Sequence, residues 1–173
     1  MNEKPAQQLA RSIAKYSPEI GALARAALAK MRARLPGAVQ LVYDNYNALV
    51  IGFGPTERAS DAVFSIALYP RWVNLFFLNG AGLHDPQKLL QGTGSRVRRI
   101  PLETAAVLDA APVRALMAQA LEGAKPFNRA KPGRIVIKMV AAKQRPRQPG
   151  KNALKAKGLA IHSSVIRPVR AEE

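Results

Sequence analysis

The chain has 173 residues with 48% hydrophobic content, enough for one domain with a real core, and folding at this length buries roughly two thirds of the chain's surface. It contains no cysteine, which excludes disulfides, thiolate metal sites and a thiol nucleophile and fits a reducing compartment. The formal charge of +16 is unevenly placed: 14 Lys/Arg stand against 9 Asp/Glu through Glu122, whereas residues 123–171 hold 13 Lys/Arg and no acid.

Met1 to Tyr16 carries Lys4, Arg11 and Lys15 and lacks the continuous apolar run of a secretory signal. No stretch reaches the roughly 18 apolar residues of a membrane helix, so a soluble, cytoplasmic protein without membrane association is expected. Leu9, Ile13 and Tyr16 share a face over Ala6 to Tyr16 and predict a short helix. Ser17-Pro18-Glu19 then supplies a cap, a first-turn proline and a first-turn acid. Ile20, Leu23, Ala24, Ala27, Leu28, Met31 and Leu35 repeat at helical spacing, which predicts a helix from Pro18 to about Leu35, stopped by Pro36-Gly37. Its basic residues, Arg25, Lys30, Arg32 and Arg34, read as a solvated face.

Four β-type runs follow, Val39 to Tyr46, Leu49 to Phe53, Val63 to Tyr69 and Trp72 to Leu78, joined by short turn-like links. They predict an antiparallel meander around which the rest of the chain is organised. Tyr43-Asp44-Asn45-Tyr46-Asn47 is rich in hydrogen-bonding groups for a strand end, which suits either a hairpin or, with Trp72, the wall of a pocket. Trp72 to Leu78 is apolar on both faces apart from Asn74, the pattern of a central, covered strand.

A glycine-containing loop then leads to an expected short helix, Gln87 to Gln91, capped by Asp85. Gly92-Thr93-Gly94-Ser95 precedes Arg96-Val97-Arg98-Arg99-Ile100. Glycines allow backbone N–H groups to converge on an anion and arginines can complete such a site, so Gly92, Gly94, Ser95, Arg96, Arg98 and Arg99 are candidates for binding a small anion. The alternative is a turn into a strand, flanked by solvent-facing arginines. The segment has no Gly-Lys-Ser/Thr ending and opens no helix, so it is neither a phosphate-binding Walker loop nor a dinucleotide fingerprint. Thr104 to Leu108 and Val113 to Leu121 look helical, and Arg134 to Val140 is a last strand.

The run from Gly82-Leu83-His84-Asp85-Pro86 through Leu89-Leu90-Gln91-Gly92-Thr93-Gly94-Ser95-Arg96-Val97-Arg98-Arg99-Ile100 resembles the YdhG-like domain of unknown function, related in fold to the frataxin-like proteins. Tyr43 to Asn47, Ala67 to Trp72 and Ala142 to Arg147 look like segments of one subgroup, and the similarity spans roughly residues 13–149. The resemblance implies an α+β domain, an antiparallel sheet packed against helices, and for some relatives an iron-chaperone role. Iron prefers hard carboxylate oxygens, yet the long first helix offers Glu19 alone against four cations.

The expected division is a YdhG-like domain over residues 1–140 and a basic, flexible extension over 141–173. Prolines and like charges oppose compaction of the extension, although Leu159, Ile161, Val165, Ile166 and Val169 could pack on the domain or a partner. Lys143, Arg145, Arg147, Lys151, Lys155 and Lys157 are the candidate phosphate partners there; the extension carries no aromatic residue to stack on bases. His84 and His162 are the only histidines and Ser163-Ser164 has no orienting acid nearby, so no enzyme, cofactor or metal site is expected. The resulting reading is a non-enzymatic binding module for an acidic macromolecule, nucleic acid or acidic protein. Its alternatives are an anionic-ligand pocket at Gly92 to Arg99 and a frataxin-like iron chaperone.

Overall fold

A computed structural model describes residues 3–150. Helix α1 (Pro5–Ala14) starts with proline in its first turn and buries Leu9, Ser12 and Ile13. Helix α2 (Pro18–Arg34) is capped by Ser17, whose hydroxyl accepts from the Ile20 amide at 3.3 Å. Its buried residues, Ile20, Gly21, Ala24, Ala27, Leu28 and Met31, recur every three or four positions and form one stripe against the sheet. Gly37 ends the turn after α2 at φ +82°, and a Cβ there would lie 2.0 Å from the Asn128 carbonyl oxygen. Only glycine fits both the left-handed backbone and that approach.

The meander forms as β1 (Val39–Asp44), β2 (Leu49–Gly54), β3 (Phe64–Leu68) and β4 (Val73–Phe77). A fifth antiparallel strand, β5 (Arg98–Leu102), joins β4, and α3 (Ala111–Glu122) then leads to β6 (Arg134–Val140). Six strands form one open sheet in the order β5-β4-β3-β2-β1-β6. The sheet is mostly antiparallel. The exception is β6, which lies parallel beside β1, with a register slip that pairs Val42 with Ile137 but Tyr43 with Met139.

The helices cover one face. Val42, Leu49, Ile51, Phe53, Phe64, Ile66, Leu68, Val73, Leu75 and Phe77 form the core with Leu28, Met31, Leu108, Val113 and Leu116. Phe64 and Phe77 meet edge to face, ring centroids 5.4 Å apart. None of the helices in the described residues is long and apolar enough to cross a membrane.

Three local expectations are corrected. Gln87 to Gln91 is not helical: Asp85 accepts from the Leu89 and Leu90 amides at 3.0 and 2.8 Å, Lys88 has φ +54°, and Gln91 bridges to Arg99. Strand β4 is one place in from the sheet edge and not central, with Phe76 half-buried. The fold also does not stop at residue 140. The Ala141 amide donates to the Asp44 carbonyl and the Arg145 amide to that of Tyr46, so residues 141–149 run docked along the end of the sheet.

Candidate functional site

In a meander, alternate turns emerge at the same end of the sheet. Strand register places the β1–β2 turn after Asp44 and the β3–β4 turn after Leu68 at one end. Because β6 is parallel to β1, the chain leaving Val140 emerges there too. Three connections therefore gather at one edge, together with the α1–α2 corner at Lys15 and Tyr16.

A buried polar cluster fixes these connections to one another. Asp44 is 1% exposed, and its Oδ2 accepts from Ser12 Oγ at 2.9 Å and Lys15 Nζ at 3.1 Å while its Oδ1 accepts from an Arg147 guanidinium nitrogen at 2.8 Å. Arg147 is 5% exposed; it also donates to the Asn45 and Tyr46 carbonyls and lies 5.6 Å from the Tyr16 ring centroid. Its Nε has no partner among the described residues. Burial by itself raises the Asp44 pKa, but hydrogen bonds from Lys15 and Ser12 and the Lys15 charge outweigh it and hold the carboxyl below its ordinary range. Tyr16 donates to the Leu68 carbonyl and accepts from the Leu49 amide, each at 3.0 Å, tying β2 to β3 where they end. Burial pushes its pKa up to about 12, against the opposing charge of Arg147.

Outside this cluster lies an open groove of about 960 Å³. The 45–48 turn with Tyr46, the 69–72 turn with Tyr69, Arg71 and Trp72, and the segment with Arg145, Pro146, Gln148 and Pro149 supply its walls, and no carboxylate among the described residues lines it. Trp72 is 52% and Tyr46 46% exposed. Trp72 leans on Tyr69 with centroids 5.8 Å apart and planes tilted by 36°. The Tyr69 amide donates to the Trp72 carbonyl at 2.9 Å and closes the turn around Pro70-Arg71. Arg71 and Arg145 are exposed at the rim.

Of the expected pocket residues, Tyr46 and Trp72 meet in this groove, whereas Asp44 points into the helix layer and Tyr43, its neighbour, toward the opposite face. Tyr69 and Arg71 were not singled out; the signal available was a pair of aromatics at a turn, where small polar residues usually serve. Among the expected phosphate partners, Lys143 is exposed and Arg145 borders the groove. Arg147 does not belong with them, because it is buried against Asp44 and has no surface to offer a polyanion. Lys151, Lys155 and Lys157 lie outside the described residues, as does His162.

The glycine-arginine segment sits at the other end of the sheet, since Arg98 pairs with Phe77 while Trp72 adjoins Val73. At about 3.3 Å per strand residue, the separation is on the order of 15 Å. Its arginines do not converge. Arg96 donates twice to Asn79 Oδ1, Arg98 donates to the Gly94 and Val97 carbonyls, and Arg99, next in the strand, faces the other side of the sheet. Gly92 and Gly94 serve a tight loop whose backbone acceptors are satisfied by Arg98, and Ser95 is exposed within it. Segment and groove are thus separate features at opposite ends of the sheet.

Comparison with known proteins supplies no relative: no family model, curated protein or solved structure matches the chain.

Proposed function

We propose that this protein is a non-enzymatic nucleic-acid-binding module with a YdhG-like, frataxin-related α+β domain. The observation that carries the reading is the surplus of uncompensated cations on the folded part. Residues 3–150 hold 22 Lys/Arg against 9 Asp/Glu. Only seven of those cations pair with a carboxylate, while Arg58, Arg71, Arg114, Arg129, Lys143 and Arg145 are exposed without one among the described residues. A surface of this sign attracts phosphates from a distance and gains by releasing their counterions. Lys151, Lys155 and Lys157 extend the same charge directly beyond the groove in sequence. The meander beneath two N-terminal helices supports the YdhG-like assignment.

The non-enzymatic reading draws support from the ionisable groups themselves. Asp44 is engaged by three side chains, two of them cationic, and His84 sits in an exposed loop clasped through its backbone by Gln119. Iron delivery has less to stand on: α2 carries Glu19 against Arg25, Lys30, Arg32 and Arg34, and the carboxylates of the described residues do not gather in threes. Anisotropy titration of labelled DNA across a salt series tests the reading. Engagement of about five phosphates predicts roughly a 500-fold loss of duplex affinity between about 50 and 200 mM salt, and about a 100-fold loss for a single strand. Absence of binding at the lowest salt, or affinity indifferent to salt, would remove it.

A further inference from the structure

We infer that the groove between the 45–48 turn, the 69–72 turn and Arg145 to Pro149 is a base-stacking site for single-stranded nucleic acid, with Trp72 and Tyr46 as the stacking platforms and Arg71 and Arg145 as phosphate partners. The inference rests on the nucleic-acid reading above and specifies both where the strand lies and which form is bound.

Exposure comes first. A tryptophan at a strand turn contributes little to the turn itself, and Trp72 leaves half of its side chain in water instead of burying it in the nearby core. It is nevertheless held in place: Pro70 fixes one backbone angle, the Tyr69–Trp72 backbone bond closes the turn, and the Tyr69 ring supports the indole. An aromatic surface that is ordered before binding loses little entropy when a base lands on it. On the opposite wall, Tyr46 is held through its carbonyl, which accepts from the Arg145 amide at 2.9 Å and from the Arg147 guanidinium at 3.4 Å.

Charge and shape select the occupant. Among the described residues the groove carries Arg71 and Arg145 and no acid, so an anionic chain is favoured over a neutral apolar one. Asn45, Asn47 and Gln148 place amides along it that can serve base edges or sugar hydroxyls. Its volume of about 960 Å³ and its open form suit a strand passing through better than an enclosed small ligand. In a duplex the base faces are covered by their neighbours, so only an unpaired strand can offer them to Trp72 and Tyr46.

Trp72 is the only tryptophan in the chain, so its emission reports on the groove without labelling. The full-length protein is titrated at low salt with a thymidine homopolymer of about 15 nucleotides, with a duplex of equal length and with poly-glutamate, following emission and anisotropy together. The expected result is saturable quenching by the single strand at the midpoint given by anisotropy, with duplex binding unaccompanied by quenching. Trp72→Ala should weaken single-strand binding about 5- to 150-fold and leave duplex affinity within about twofold, because each stacked base contributes about 1–3 kcal/mol; Tyr46→Ala should act in the same direction. Both side chains are exposed, so the variants should retain the wild-type circular dichroism. Single-strand binding with unchanged Trp72 emission, or equal quenching by poly-glutamate, would overturn the groove while leaving the polyanion reading intact. No binding of any polymer would overturn both.

Discussion

Asp44 and Arg147 are the pair on which the site's geometry depends, and their energetics follow from burial. Two charges taken out of water pay a desolvation penalty that their attraction only offsets when the remaining donors and acceptors are satisfied. Asp44 is satisfied by Ser12, Lys15 and Arg147, whereas Arg147 Nε has no partner among the described residues. Removing one partner strands the other, so Asp44→Asn or Arg147→Met should each lower unfolding free energy by about 3–5 kcal/mol in urea denaturation. Replacing both by apolar residues of similar size should cost far less than the two single changes together, a coupling that a double-mutant cycle measures. The pH dependence has a fixed sign. Because the folded pKa of Asp44 lies below its unfolded value near 3.9, acid protonates the unfolded chain first. The carboxylate's contribution is complete above that value and disappears as pH falls through the folded pKa, so the stability gap between wild type and Asp44→Asn should be flat at neutral pH and close only in that acidic window. A gap that changed between pH 6 and 8 would assign it to another group. None of this was legible from the sequence: the partners are 103 residues apart, and an arginine among prolines and like charges reads as solvated.

Elements were easier to read where period and punctuation agree. The four meander strands lie within two residues of their expected ends because alternating apolar residues are cut by turn residues on both sides. The segment Gln87 to Gln91 was misread because five residues cannot nucleate a helix without tertiary support, and here Asp85 and Arg99 draw its backbone into a turn and a bridge. Periodicity identified β6 as a strand but carries no information about its neighbour, and its parallel place beside β1 is what brings residues 141–149 to the groove. That strand also has the features of a weakly held edge. It forms one edge, has exposed Met139 and Val140, and slips register at its middle. Native-state hydrogen exchange should therefore find β6 amides opening at lower free energy than those of β2 and β3, which are paired on both sides. Equal protection across all six strands would mean that β6 opens only with the whole domain.

At the scale of the whole molecule, one charge excess acts on stability and on binding with opposite signs. A net charge of +16 repels itself more strongly in the compact state than in the expanded one. The ion pairs do not compensate, because most have at least one partner well exposed, and such pairs contribute about 0–1 kcal/mol each and are screened in the same way. Asp44–Arg147 is buried and therefore screened little. Adding sodium chloride at neutral pH should relieve repulsion between cations more than it weakens surface attraction. The melting temperature should consequently rise with salt, by a few degrees if about 1 kcal/mol of repulsion is removed. Over the same range, affinity for nucleic acid should fall, since the mobile ions that quiet self-repulsion also compete for the surface that phosphates occupy. Calorimetry and anisotropy on one salt series separate the two effects. A melting temperature that fell with salt would place the surface ion pairs above the net charge in controlling the fold, and the cations around the groove would then be engaged within the protein instead of held ready for a partner.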